Sequence, residues 1–265
     1  MIDAARRPLL VPYVTGGLTP DWTDYLLAYR DAGADAIEVG LPFSDPMLDG
    51  STIQQASDRA LARGATVSGI LADLTAVAGR VRVPIVVMTY ANLALRVGMD
   101  RLAQAGVSGL IVPDLPLEES AEPAAAAARE GIDLVLLAAP STPDDRLREI
   151  CARSRGFVYA VSVMGTTGER DVLPPEAADL VRRIRAAGIS SRLPVLIGFG
   201  ISTPAQAAEA GRAGDGVVVA SALMRRVLNG ATADDLRCDV AALRAALDLG
   251  VSTGTPYAEV SGDRR

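Results

Sequence analysis

The stretch IEVGLPFSDPMLDG, Ile37–Gly50, carries three carboxylates: Glu38, Asp45 and Asp49. Glu38 lies inside a short apolar, β-branched run that reads as a buried strand. Side chains alternate along a strand, so in AIEVG Ile37 and Val39 share one face while Ala36, Glu38 and Gly40 share the other. In a closed barrel the first set packs under helices and the second points into the lumen. A buried carboxylate is costly unless it is hydrogen-bonded, paired, or raised in pKa. A raised pKa would fit Glu38 to give and take protons near neutrality. The competing reading is a structural pair with an arginine. Asp49 falls past the strand, in a loop stiffened by Pro42 and Pro46 and turned by Gly50. Alone it reads as a solvated turn former; facing Glu38 across a barrel mouth it becomes a second working carboxylate.

What the chain lacks narrows the chemistry further. Its 265 residues include no histidine, and all 26 basic residues are arginine. Without lysine there is no amine for a Schiff base. Without imidazole there is no Ser-His-Asp triad and no histidine-based zinc catalysis. Carboxylates, tyrosine hydroxyls and backbone dipoles are left to act, and neither a metal nor a cofactor is expected. The net charge of −6, the absence of a basic cluster and the scarcity of aromatics argue against a nucleic-acid partner. Cys151 and Cys238 have neither metal nor redox spacing, so a reducing cytoplasm is the expected compartment. The opening residues are not expected to be a signal peptide, and no apolar run approaches transmembrane length, so no membrane is expected.

The elements that must position these groups follow from an alternation. Eight apolar runs, Leu9–Thr15, Ala36–Leu41, Ile85–Thr89, Gly109–Asp114, Leu134–Ala139, Phe157–Val163, Val195–Phe199 and Gly216–Ala220, are each followed by a segment of helical composition. This predicts an α/β fold with a parallel sheet, and eight units at this length fit a (β/α)8 TIM barrel. The barrel is expected to fill residues 1–250 as a single domain, with 251–265 a polar, disordered C-terminal tail. Thr19-Pro20, Thr142-Pro143 and Thr203-Pro204 read as helix starts with a capping hydroxyl. Gly33, Gly106, Gly131 and Gly214 read as helix ends.

Barrel chemistry collects at the C-terminal ends of strands, and several stretches fall there. GFGIS, Gly198–Ser202, closes strand seven with two glycines through which backbone can approach an anion. ASALM, Ala220–Met224, opens a helix at Ser221. Barrels often bind phosphate after these two strands, although glycine-rich turns are common. MGTTGER, Met164–Arg170, reads as a lid or a plain exposed connection. Tyr90 and Asn92 end strand three as structural polar groups. VPDLPLEES, Val112–Ser120, is a rigid loop suited to a partner surface or a simple turn. Tyr159 would hydrogen-bond a substrate hydroxyl or fill the lumen.

Together VTGG, DAGADAIEVGLPFSDPMLDGSTIQQA, MTYANL, GLIVPDLPLEES, VMGTTG and GFGIS, in this order, resemble the tryptophan synthase α subunit over most of the chain. The resemblance implies a lyase that splits indole-3-glycerol phosphate into indole and glyceraldehyde 3-phosphate. It places the catalytic acid/base on Glu38 and the carboxylate facing the indole N–H on Asp49. It places substrate contacts on Tyr13, Tyr90, Tyr159 and Thr167, and phosphate contacts on Gly168, Gly198, Phe199, Gly200 and Ser221. It implies a pyridoxal-phosphate-dependent β subunit as partner, meeting Asp45, Pro46 and the Asp114 region. A free-standing indole-releasing lyase and a weakly active partner that only activates a β-type subunit are the alternatives. Departures from the family pattern are Leu18 in place of an aspartate, Thr166 in place of valine, Ala220 in place of glycine, and few residues ahead of strand one, where a helix would cover the barrel floor. They are expected to bear on phosphate affinity, lid closure, stability and coupling to the partner.

Overall fold

The computed structural model describes residues 7–161, 175–187, 193–198 and 200–252. Eight strands close into a parallel barrel in chain order: β1 (Leu9–Thr15), β2 (Ile37–Gly40), β3 (Ile85–Met88), β4 (Val107–Ile111), β5 (Asp133–Ala138), β6 (Val158–Val161), β7 (Val195–Gly198) and β8 (Gly216–Val219). β1 pairs with both β2 and β8, which completes the ring. The described helices are α1 (Trp22–Asp31), α2 (Ser51–Ala62), α3 (Val67–Val81), α4 (Ala91–Val97), α5 (Met99–Gln104), α6 (Ala121–Arg129), α7 (Asp144–Arg153), α8 (Pro175–Ala187), α9 (Pro204–Ala213), α10 (Ser221–Leu228) and α11 (Ala233–Ser252). The expected (β/α)8 fold is the fold observed.

The alternation along the strands sorts residues into two apolar layers, as barrel geometry demands. Leu9, Val11, Ala36, Val86, Ile111, Val135, Phe157, Leu196 and Val218 form a packed cluster inside the barrel. Ile37, Val39, Val87, Leu110, Leu134 and Val217 belong to the larger layer that packs with the helices. Strand two therefore turns as expected, with Ala36 inward and Ile37 and Val39 outward.

Local details differ from the expectations for physical reasons. β4 starts at Val107 and stops at Ile111, ahead of Pro113, because the Val112 carbonyl accepts the Leu115 N–H in a turn. Thr203 caps α9 with a full capping box to Gln206. Thr19 and Thr142 do not cap: α1 begins after a turn at Asp21, and α7 after Pro143. The Thr142 hydroxyl takes the Ala139 N–H. Gly33, Gly106 and Gly131 follow their helices at positive φ, whereas Gly214 ends α9 in an extended conformation. Leu18 is fully buried among apolar neighbours and belongs to the core. α11 continues to Ser252, two residues past the predicted tail boundary; residues 253–265 and Thr166 lie outside the described residues. Among the described residues no single helix is long and apolar enough to cross a membrane.

Candidate active site

Glu38 is the second residue of β2 and only 1 % exposed. It forms no ion pair with an arginine among the described residues, and its Oε2 is buried without a hydrogen-bond partner there. Burial pushes its carboxyl pKa up to about 8, with the nearby charge of Asp49 adding to the effect. Among the described residues, then, no arginine pair holds Glu38 in place.

Asp49 stands at the end of the β2–α2 loop, half-buried. Its backbone N–H bonds the Pro46 carbonyl, and its own carbonyl accepts Gln54 Nε2 at 2.9 Å. The loop is thus pinned to the first turn of α2. The Tyr90 hydroxyl donates to Asp49 Oδ2 at 3.3 Å and accepts the Leu48 N–H at 3.0 Å. Phe43 packs on the Tyr90 ring, centroids 4.9 Å apart. Burial lifts Asp49 to about 6, partly offset by the Tyr90 hydrogen bond, which favours the charged form. Burial thus raises both carboxyls, Glu38 further than Asp49, an arrangement suited to divided acid and base duties.

Two tyrosines wall the same space from opposite sides. Tyr13 pairs in register with Glu38, and Thr15 with Gly40, across β1 and β2. The Thr15 hydroxyl donates to the Tyr13 hydroxyl at 3.2 Å, leaving the phenolic proton to point elsewhere. A Cβ on Gly40 would sit 1.9 Å from that hydroxyl, so only glycine leaves room for the ring. Gly198 does the same for Tyr159, whose ring atoms would be 2.3 to 2.5 Å from any Cβ there. Burial raises the pKa of both tyrosines above the usual phenol value, and the charges of Glu38 and Asp49 act on each. Glu38, Asp49, Tyr13, Tyr90 and Tyr159 are therefore one electrostatic cluster.

The remaining predicted residues fall on the surrounding rim. Ser221 is the first residue of α10 and nearly buried. Gly200 turns the chain after β7. Ala220 has a negative φ, so its backbone does not require a glycine there. Thr167, Gly168 and Phe199 lie outside the described residues. Asp45 and Asp114 are exposed and Pro46 is half-buried, away from the lumen. Asp114 Oδ1 accepts the Ala91 N–H at 2.8 Å, tying the β4 loop to the head of α4. Met47, in the same loop as Asp49, is 80 % exposed, and Leu95 on α4 is 68 % exposed.

Sequence reasoning assigned no role to Phe43, Gln54, Thr15 and Thr89, the last buried at the end of β3 with no partner for its hydroxyl among the described residues. Thr15 had a signal, since it follows Tyr13 at the strand spacing of two. The others act across loops that spacing does not reveal.

A closed (β/α)8 barrel with two carboxylates of separated pKa at its C-terminal mouth defines a barrel enzyme of the acid–base type. A family model described as tryptophan synthase alpha chain matches residues 2–251. The chain is similar to the tryptophan synthase alpha chain of Nitratidesulfovibrio vulgaris (strain DP4), 46 % identical over 231 residues, 85 % of this chain and 89 % of that one. It is 45 % identical to that of Synechococcus sp. (strain CC9902), over 83 % of this chain and 84 % of the relative. Among solved structures, Mycobacterium tuberculosis tryptophan synthase superposes with a TM-score of 0.84 at 39 % identity, covering 91 % of this chain and 93 % of that one. The Pyrococcus furiosus structure, described as showing mutual activation of the tryptophan synthase α2β2 complex, matches with a TM-score of 0.81 at 38 % identity, covering 90 % of this chain and 99 % of that one. The chain belongs to the tryptophan synthase alpha chain family. It is a carbon–carbon lyase of tryptophan biosynthesis, acting on indole-3-glycerol phosphate.

Proposed function

We propose that Glu38 and Asp49 together carry the cleavage of indole-3-glycerol phosphate, one as proton carrier and the other as charge stabiliser. The observation that supports this most directly is the buried Glu38 carboxyl, with no arginine partner among the described residues, beside a half-buried Asp49; burial pushes the two up to about 8 and about 6. Near neutral pH Glu38 carries its proton and Asp49 is ionised. Glu38 gives its proton to indole C3, which makes the ring iminium-like with positive charge on N1. Asp49 stabilises that charge. Glu38, now a carboxylate, takes the proton of the glycerol hydroxyl on the carbon bonded to C3. The electrons of that O–H bond form the carbonyl of glyceraldehyde 3-phosphate, and those of the C–C bond return to the ring as indole leaves. One proton has moved from oxygen to carbon, and Glu38 is protonated again.

The rest of the cluster orients the substrate. Tyr13 and Tyr159 face the reacting atoms, Tyr90 holds Asp49, and Ser221 with the Gly198–Gly200 turn anchors the phosphate at the head of α10. The chain works with a pyridoxal-phosphate-dependent β subunit that seats on Asp45, Pro46 and the Asp114 region. Support for that surface comes from exposed Met47 and Leu95, which flank it. A partner pressing on Met47 acts on the loop that ends in Asp49. Two free cysteines fit work in a reducing cytoplasm. The relatives favour this α-chain role over a free-standing lyase or a mere activator.

The deciding experiment is indole release from indole-3-glycerol phosphate, with and without a β subunit. Glu38→Gln is expected to slow release about 10³-fold, the usual scale of general acid–base catalysis. Release at the parent rate would remove Glu38 from the mechanism.

A further inference from the structure

The helix that opens with Ser221 is tied to the helix that follows the Asp49 loop by a charged side chain. Arg225 lies one turn into α10, and its Nη2 donates to the Thr52 hydroxyl at 2.9 Å. Thr52 is the second residue of α2, only 3 % exposed and three residues from Asp49. Gln54, two residues further on, holds the Asp49 carbonyl. At the far end of the same two helices Arg59 Nη1 donates to the Leu228 carbonyl at 3.2 Å, so α2 and α10 are joined at both ends. A third link runs from α10 to the lumen: the Thr15 N–H meets Met224 Sδ at 3.4 Å, and the Thr15 hydroxyl serves Tyr13.

A helix moves as a rigid rod, so an anion settling at the head of α10 shifts or stiffens Arg225 along with Ser221. A guanidinium offers directional donors in a fixed plane, which transmits orientation better than apolar contact. The receiving hydroxyl belongs to the first turn of α2, immediately after the catalytic loop. Binding energy gained at a remote phosphate raises the rate only if it is used to orient the reacting groups, and this contact is a physical route for it.

We infer that Arg225 is a positioning residue, whose bond to Thr52 passes occupancy of the phosphate site at the head of α10 to the loop that carries Asp49. The inference rests on the reading of the active site given above.

Its test compares full-length parent, Arg225→Met, Arg225→Lys, Thr52→Val and the Arg225→Met/Thr52→Val double variant. Each is assayed for indole release from indole-3-glycerol phosphate, and from unphosphorylated indoleglycerol with and without inorganic phosphate. In the parent, phosphate is expected to stimulate turnover of indoleglycerol. Arg225→Met is expected to lower kcat on the phosphorylated substrate about tenfold with KM within about twofold, and to abolish the stimulation. Thr52→Val should do the same, the double variant should lose no more than either single one, and Arg225→Lys should recover part of both effects. Additive losses, a change confined to KM, or phosphate stimulation that survives in Arg225→Met overturns the inference while leaving the active site intact. Parent turnover of indoleglycerol that ignores phosphate does the same. A parent that releases no indole from indole-3-glycerol phosphate overturns the reading of the site, and the inference with it.

Discussion

At the scale of single residues the decisive quantity is the separation between two carboxyl pKa values. In the proposed mechanism the first step takes an ionised Asp49 and a protonated Glu38, so kcat/KM should climb through about pH 6 and fall through about pH 8. The two limbs belong to the interacting pair. Asp49→Asn should erase the acid limb and lower kcat about 10²-fold with little change in KM, because the charge it meets develops only during cleavage; steady-state kinetics across pH reads both. The same burial has a cost in stability. Below the ordinary value of 4.5, Glu38 is neutral in both folded and unfolded chains. Above it the unfolded chain releases the proton while the folded one retains it until about pH 8, so folding stability contributed by this group falls steadily as pH rises between those values. Glu38→Gln removes that dependence. The Glu38→Gln variant should therefore be more stable than the parent at pH 8, by on the order of 4 kcal/mol, and equal to it near pH 4, as denaturant midpoints at the two pH values will show.

At the scale of elements, strand β2 fixes Glu38, whereas a loop and its contacts fix the second carboxylate, Asp49. Tyr90 heads α4 and reaches across to the β2–α2 loop, where its hydroxyl holds the charged form of Asp49. Tyr90→Phe deletes that donor while keeping the ring against Phe43. The Asp49 pKa should rise, moving the acid limb of kcat/KM above about pH 6, with kcat falling about tenfold; a pH–rate profile of the variant checks both. This contact joins residues 41 positions apart, and the Arg225–Thr52 bond joins residues 173 apart. Neither leaves a periodic trace in the sequence. The strands do, because a barrel strand is a short β-branched run buried on both faces. For that reason the eight strands, and the inward turn of Glu38 beside Ala36 and Gly40, were legible from residue types alone. The ends of the helices were less so: Thr19 and Thr142 have the right chemistry for a cap, but a turn separates Thr19 from α1, and the Thr142 hydroxyl is taken by the Ala139 N–H behind it. Packing decides such boundaries, and packing is not local.

At the scale of the whole molecule, the barrel must be closed at the end opposite the chemistry. Asp35 and Asp215 each precede a strand and do matching work there. Asp35 accepts the Leu10 N–H and Asp215 the Val195 N–H, both at 2.9 Å, and each also meets an arginine. The Asp35 arrangement is the more consequential, because it joins the two ends of the described chain. Arg244, on α11 and 6 % exposed, donates to the Pro8 carbonyl and to Asp35 Oδ2, and also bonds Asp248. Arg7 reaches the other Asp35 oxygen at 2.8 Å. The last helix is thus latched onto the first strand through a largely buried charge. Removing one partner of a buried pair leaves the other desolvated and poorly compensated, which typically costs about 3 kcal/mol. Arg244→Ala should therefore lower the melting midpoint by roughly 5–10 °C, far more than loss of the exposed Arg237–Asp234 pair, expected to change it by about 1 °C or less. Because the latch holds first strand to last helix, its loss should lower the midpoint seen by far-ultraviolet circular dichroism and by Trp22 fluorescence equally, as one cooperative barrel requires. The mouth lies at the other end of the strands, so kcat at 25 °C should stay within twofold of the parent, roughly the noise level for sites with no shared partners. A large fall in kcat without a fall in the midpoint would show that Arg244 acts on the chemistry and not on closure of the ring.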